Sequence, residues 1–102
     1  VGNAALIALT KALGAESLDH GVCVVGVSPG QTSTERLERQ QRIKAEHDLG
    51  DAERWRELLT HLPGGRPGKV EEVADVVAFL ASPRASRISG SILTIDGGAH
   101  LR

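Results

Sequence analysis

Val22-Cys23-Val24-Val25-Gly26-Val27-Ser28-Pro29-Gly30-Gln31-Thr32-Ser33-Thr34 starts as a strand and ends as a loop. The first half, residues 22–27, is a short apolar run rich in β-branched valine, a pattern suited to a sheet covered on both faces. Ser28-Pro29-Gly30 stops it, because Pro29 has no backbone donor and Gly30 permits a sharp turn with exposed backbone. Three hydroxyl residues follow in a row, Thr32, Ser33 and Thr34. In open α/β sheets, ligands bind outside the carboxyl ends of the strands, so this loop is the prime candidate site. Two readings of it stand. It is an ordinary strand-to-helix connection in which Thr34 or Ser33 caps the next helix, or it is an anion or amide site made of free backbone groups and hydroxyls.

The flanking sequence reads as support for that loop. Residues 3–19 form a helix by pattern: Leu6, Leu9 and Leu13 recur at helical spacing, as do Ala5, Ala8, Ala12 and Ala15. The all-small second stripe would admit a partner helix or a second subunit at close range, or alanine stands there simply as a good helix former. Gly21 marks the helix end. Residues 35–48 are dense in charge. Glu35–Arg39, Glu38–Arg42 and Arg42–Glu46 lie four apart, which supports a helix, but only Leu37, Ile43 and Ala45 offer apolar contact, so little of it is expected to be buried. Asp51 reads as the N-cap of a short helix with Trp55, Leu58, Leu59 and Leu62 on its apolar face. Pro63-Gly64-Gly65-Arg66-Pro67-Gly68 is a loop. Residues 70–81 form the clearest helix, with Val70, Val73, Ala74, Val77, Leu80 and Ala81 on one face and Val76 and Phe79 widening it, until Pro83 ends it. Ser89-Gly90 turns the chain into a strand at 91–95, closed by Asp96-Gly97-Gly98. Alternating helices and strands argue for a parallel sheet with helices on both faces.

Composition excludes several function classes. With a net charge of −1, the chain has no basic field for nucleic acid or an anionic membrane surface. No apolar run reaches the roughly 20 residues of a membrane-spanning helix. One cysteine, Cys23, rules out an internal disulfide and fits a reducing, cytoplasmic compartment; its apolar setting reads as a buried structural thiol. His20, His47, His61 and His100 share no metal-ligand spacing, and no metal site is expected. There is no G-x-S-x-G nucleophile elbow, and the glycines at 64–68 lack the Lys-Ser/Thr ending of a phosphate-binding loop. The chain has 102 residues, short for a doubly wound nucleotide-binding domain, and begins inside a helical pattern without an initiator Met. A fragment of something longer is expected.

Several pieces match a known family in order and spacing. Residues 4–13 (Ala4-Ala5-Leu6-Ile7-Ala8-Leu9-Thr10-Lys11-Ala12-Leu13), His20-Gly21-Val22, Ser28-Pro29-Gly30, Gly65-Arg66 with Glu71-Glu72-Val73-Ala74, Phe79-Leu80-Ala81-Ser82, Ile88-Ser89-Gly90 and Asp96-Gly97-Gly98 resemble the C-terminal part of a short-chain dehydrogenase/reductase. The resemblance spans essentially the whole chain. It implies that residues 1–102 are the C-terminal part only of one Rossmann-type domain, with a substrate lid at about 35–62. It implies hydride transfer between NAD or NADP and a small carbonyl or alcohol substrate, and a homodimer or homotetramer. Pro29 and Gly30 resemble the turn beside the nicotinamide. Thr32 sits where family backbone groups bind the carboxamide, and Thr34 where a hydroxyl contacts the carboxamide or pyrophosphate.

The resemblance breaks at Asn3, which occupies the position of the family's catalytic lysine. That lysine binds the ribose hydroxyls and lowers the pKa of a tyrosine four residues before it, a position two residues before Val1. Asparagine keeps a hydrogen-bonding group but no charge, and Lys11 lies more than two helical turns further on. The glycine-rich fingerprint, the catalytic serine and that tyrosine would all lie upstream. Two functions are expected: an NAD(P)-dependent oxidoreductase, inactive as this fragment alone, or a catalytically impaired relative that binds or scaffolds.

Overall fold

The computed structural model describes residues 2–102. Two strands, β1 (Gly26–Pro29) and β2 (Ile92–Ile95), lie side by side. The Gly26 N–H donates to Ser91 C=O and the Gly30 N–H to Ile95 C=O, both at 2.9 Å. The bonds advance in the same sense along both segments, so the strands are parallel. The chain divides into two compact units, one of Val1–Ser28 with Ala74–Thr94, the other of Pro29–Val73 with Ile95–Arg102.

In the first unit, α1 (Gly2–Glu16) runs into a 3₁₀ turn, Ser17–His20, which ends at Gly21 in a left-handed conformation as its sequence suggests. The buried face of α1 is neither of the two stripes read from the sequence. Its buried residues are Thr10 and Gly14, four apart, while Leu6 is 61% exposed and Leu9 and Leu13 are more than half exposed. Thr10 satisfies its hydroxyl on its own helix, donating to Leu6 C=O at 2.8 Å. At Gly14 the helix meets another stretch of backbone: a Cβ there would stand 2.3 Å from Gly90 N and 2.9 Å from Val24 O. No side chain fits that gap, so Gly14 sets how closely α1 approaches.

Ser89 ties this unit together. Its Oγ donates to Gly14 C=O at 2.8 Å, accepts from the Val24 N–H at 3.3 Å and meets Ser17 Oγ at 3.2 Å. The neighbouring Gly90 N–H donates to Val24 C=O at 2.7 Å. These bonds explain a correction to the expected strand at 22–27. Pairing begins only at Gly26, because Val24 finds a serine hydroxyl and one amide where a strand would supply a ladder. The valine run is correspondingly half-buried at most, with Val22 exposed, and is not covered on both faces. Cys23 is likewise only half-buried, its thiol 3.5 Å from Ser86 C=O. α3 (Val70–Leu80) forms within a residue of its expected bounds, yet none of its residues is buried; Val70, Val77 and Phe79 are each close to half exposed. A large apolar face therefore does not amount to a core in this chain.

The second unit has a small core of its own. α2 (Glu35–Leu49) packs on a 3₁₀ segment, Ala52–Leu59, through Ala45, Trp55 and Leu59, with Leu37, Leu49, Leu58 and Leu62 around them. The charged helix is thus better anchored than its composition suggests: Ala45 is fully buried, whereas Ile43 points outward at 68% exposure. Asp51 caps the second segment by accepting from the Glu53 N–H, as expected, but the turn is 3₁₀. Of the three anticipated ion pairs only Glu38–Arg42 forms, at 3.0 Å; Arg42 also pairs with Glu53, and Glu46 accepts from the Ala52 N–H. Two guanidiniums lie over the Trp55 ring, Arg56 at 4.5 Å and Arg42 at 5.5 Å from its centre, and the indole N–H has no partner among the described residues.

Candidate functional site

The loop at 29–34 belongs entirely to the second unit. Pro29 is the last residue of β1. At Gly30 the chain passes so close to the end of β2 that a Cβ would stand 2.6 Å from Asp96 Cβ. Any side chain at residue 30 would push loop and strand apart, which is the physical reason for glycine there. Beyond it, Thr32 Oγ1 donates to Gly30 C=O at 3.0 Å and tightens the turn.

Thr32 forms an isolated parallel bridge with Gly68. Its two bonds belong to neighbours: the Gly68 N–H donates to Gln31 C=O at 2.8 Å, and the Ser33 N–H donates to Gly68 C=O at 2.7 Å. In a parallel ladder the residue between such bonds points its own N–H and C=O to the opposite side. Neither group of Thr32 has a partner among the described residues. The loop thus presents one donor and one acceptor side by side, the complement of a primary amide. Thr34 caps α2, its Oγ1 accepting from the Leu37 N–H at 3.1 Å, so the capping alternative holds for this residue. Capping uses a lone pair and leaves the hydroxyl proton to donate elsewhere.

Two hollows flank the loop. One of about 150 Å³ is lined by Gln31, Arg66, Gly68, Lys69, Glu72 and Asp96, among others. The other, of about 290 Å³, lies beside Thr34, against Leu37, Trp55 and Arg56. Asp96 closes the first. Its side chain is only 9% exposed, accepting from the Gly98 and His100 N–H groups at 2.9 and 3.0 Å and pairing with His100 Nδ1 at 2.8 Å. Burial works against its charge, but the Gly98, His100 side-chain and His100 backbone contacts outweigh burial and hold the carboxyl below its ordinary range. Sequence pattern alone missed this pair, since a lone histidine four residues after an aspartate carries no signature.

Asn3 belongs to the other unit, exposed in the first turn of α1. The structure therefore groups Pro29, Gly30, Thr32 and Thr34 in one loop, and Asn3 stands apart from them in the division of the chain. No group of three or more His, Cys, Asp or Glu side chains suited to a metal occurs among the described residues. Among the described residues no helix is long and apolar enough to cross a membrane.

Comparison with known proteins supplies the family. Residues 1–100 match the enoyl-(acyl carrier protein) reductase model of the short-chain dehydrogenases. An uncharacterized oxidoreductase of Thermotoga maritima is 37% identical over 99 residues, 97% of this chain and 38% of that protein. The 3-oxoacyl-(acyl-carrier-protein) reductase FabG of Buchnera aphidicola is 36% identical over 96 residues, 94% of this chain and 35% of that one. Among solved structures, L-sorbose reductase from Gluconobacter frateurii, complexed with NADPH and L-sorbose, superposes with a TM-score of 0.80 at 27% identity. That match covers 92% of this chain and 36% of the reductase. The chain belongs to the short-chain dehydrogenase/reductase family, and its helices and parallel strands are those of that family's Rossmann fold. It spans little more than a third of the length of the curated relatives it matches. Nothing in these comparisons supports the alternative of a binding or scaffold protein.

Proposed function

We propose that residues 1–102 are the C-terminal part of one Rossmann-type domain, with residues 35–62 as the substrate lid, in an NAD(P)-dependent oxidoreductase acting on a small carbonyl or alcohol in the cytoplasm. The observation that carries this reading is the outward pair of backbone groups at Thr32, which the bridge to Gly68 fixes in place. They fit a nicotinamide carboxamide, whose oxygen would accept from the N–H and whose amino group would donate to the C=O. Pro29 and Gly30 shape the turn beside it, and Thr34 has its hydroxyl proton left to donate. Bound there, the nicotinamide dinucleotide gives or takes the hydride. The hollow against Trp55 and Arg56, on the lid side of Thr34, is suited to the substrate. Asn3, at the family's lysine position, keeps a hydrogen bond for a ribose hydroxyl and no charge. The exposed leucines of α1 and the half-exposed face of α3 are suited to cover by the preceding half of the domain.

The test is a calorimetric titration of NADH and NADPH into the longer protein and into residues 1–102 alone. Saturable binding is expected only in the longer protein, since the phosphate-binding half of a dinucleotide site lies outside this sequence. Tight binding by residues 1–102 alone would overturn the fragment reading. No binding of either cofactor by the longer protein would overturn the oxidoreductase reading.

A further inference from the structure

We propose that Arg66 and Glu72 are positioning residues for the nicotinamide-facing loop, setting the Thr32 backbone through the two peptides on either side of Gly68. This inference rests on the assignment of Thr32 to the carboxamide. Arg66 Nη1 donates to Pro67 C=O at 2.8 Å, and the same guanidinium grips Glu72 with two parallel bonds, Nη1 to Oε1 at 3.0 Å and Nη2 to Oε2 at 3.1 Å. Glu72 also accepts from the Lys69 N–H at 2.6 Å, so its carboxylate spans the entry to α3.

The Pro67 C=O and the Gly68 N–H belong to one peptide plane. Holding the carbonyl from one side fixes the direction in which the N–H leaves on the other. That N–H is one half of the bridge to the loop, donating to Gln31 C=O, and Gly68 C=O receives the other half from Ser33. Gly68 C=O belongs to the next peptide plane, shared with the Lys69 N–H that Glu72 holds, so Arg66 and Glu72 between them orient both bonds that flank Thr32. A β-ladder of ordinary length would share the load over several residues, but here a single bridge carries it. The guanidinium fork is well suited to the task because it is planar and always charged. Glu72 matches it: the Arg66 side chain, then the Lys69 N–H, hold its carboxyl at about 2, so the clamp stays charged across any working pH.

The experiment compares two probes in the longer protein, NADH against ADP-ribose or NADPH against the 2′-phosphate of ADP-ribose, each control keeping the phosphates and adenosine of its dinucleotide without the nicotinamide. Glu72→Gln and Arg66→Met are expected to weaken the nicotinamide dinucleotide about tenfold, the scale of one misplaced hydrogen bond, and to leave its control unchanged. Hydrogen exchange at Gly68 and Ser33 should speed up in the same variants. Arg66→Lys, which keeps the charge without the fork, serves if these misfold, and should move the ratio of the two dissociation constants in the same direction by less. Equal loss for both probes would make the residues merely structural and overturn the proposal. So would an unchanged ratio with faster exchange. A wild-type protein that binds control and dinucleotide equally would fail Thr32 itself, separating that failure from a failure of the clamp.

Discussion

The proposed placement of Asn3 at the family's lysine position puts a dipole where an ammonium would stand, and a pH dependence follows. A tyrosine in water has a pKa near 10, so about 0.1% of it is ionised at neutral pH. A lysine within about 4–6 Å favours the phenolate by roughly 1–3 pKa units. In the proposed longer protein, Asn3→Lys is expected to move the rising limb of the pH–rate profile to lower pH and to raise turnover at neutral pH. Equal profiles would show that residue 3 is not where charge acts; no turnover in either form would sink the oxidoreductase reading. At this scale the sequence was uneven in what it disclosed. Pro29 and Gly30 were legible because a close approach leaves a glycine and a turn leaves a proline. Ser89 was legible only as a turn residue, because the three partners it joins are more than sixty residues away in sequence. The free groups of Thr32 were invisible to residue type, since any residue would carry them.

Among the elements, α3 is the one whose entry reports on the chain's electrostatics. Glu72 is held at about 2 against an ordinary 4.5 by the Arg66 side chain first and the Lys69 N–H second. A lowered carboxyl contributes stability that is complete above the unfolded value and is lost as pH falls from about 4.5 through 2. Titration of the Glu72 carboxyl carbon by NMR should therefore show a midpoint near 2, rising toward 4.5 in Arg66→Met; a wild-type midpoint near 4.5 would mean the ion pair does not hold in solution. Helices were legible where periodicity and caps agreed, as at 35–49 and 70–80. The 22–27 strand shifted to Gly26–Pro29 because a strand is defined by its neighbour, and an apolar run cannot say how far its neighbour extends. The ion pairs at 38–46 rearranged for a similar reason: Arg42 found Glu53, which no helical spacing brings near.

For the whole protein, the exposed stripe of Ala5, Ala8, Ala12 and Ala15 bears on assembly. None of these is the buried face of α1, so the stripe is open to another helix at short range. The proposed full-length protein is expected to form a homodimer or homotetramer, and Ala8→Leu with Ala12→Leu to shift it toward smaller species in light scattering at unchanged helicity. A monomeric wild type would remove the basis for that expectation. Ser89 bears on stability in the same way: Ser89→Ala strands the Val24 N–H and the Gly14 C=O, and a loss of about 1–3 kcal/mol is expected from urea unfolding. A loss within error would mean that water takes over those bonds.

The same hydroxyl imposes an order in time. Its bonds reach back 65, 72 and 75 residues, to Val24, Ser17 and Gly14. A ribosome makes those three residues early and Ser89 late, and contacts so distant in sequence form only after the intervening chain has been gathered in. During synthesis the end of α1 and the valine run that follows it wait, apolar and unfastened, for one serine to arrive.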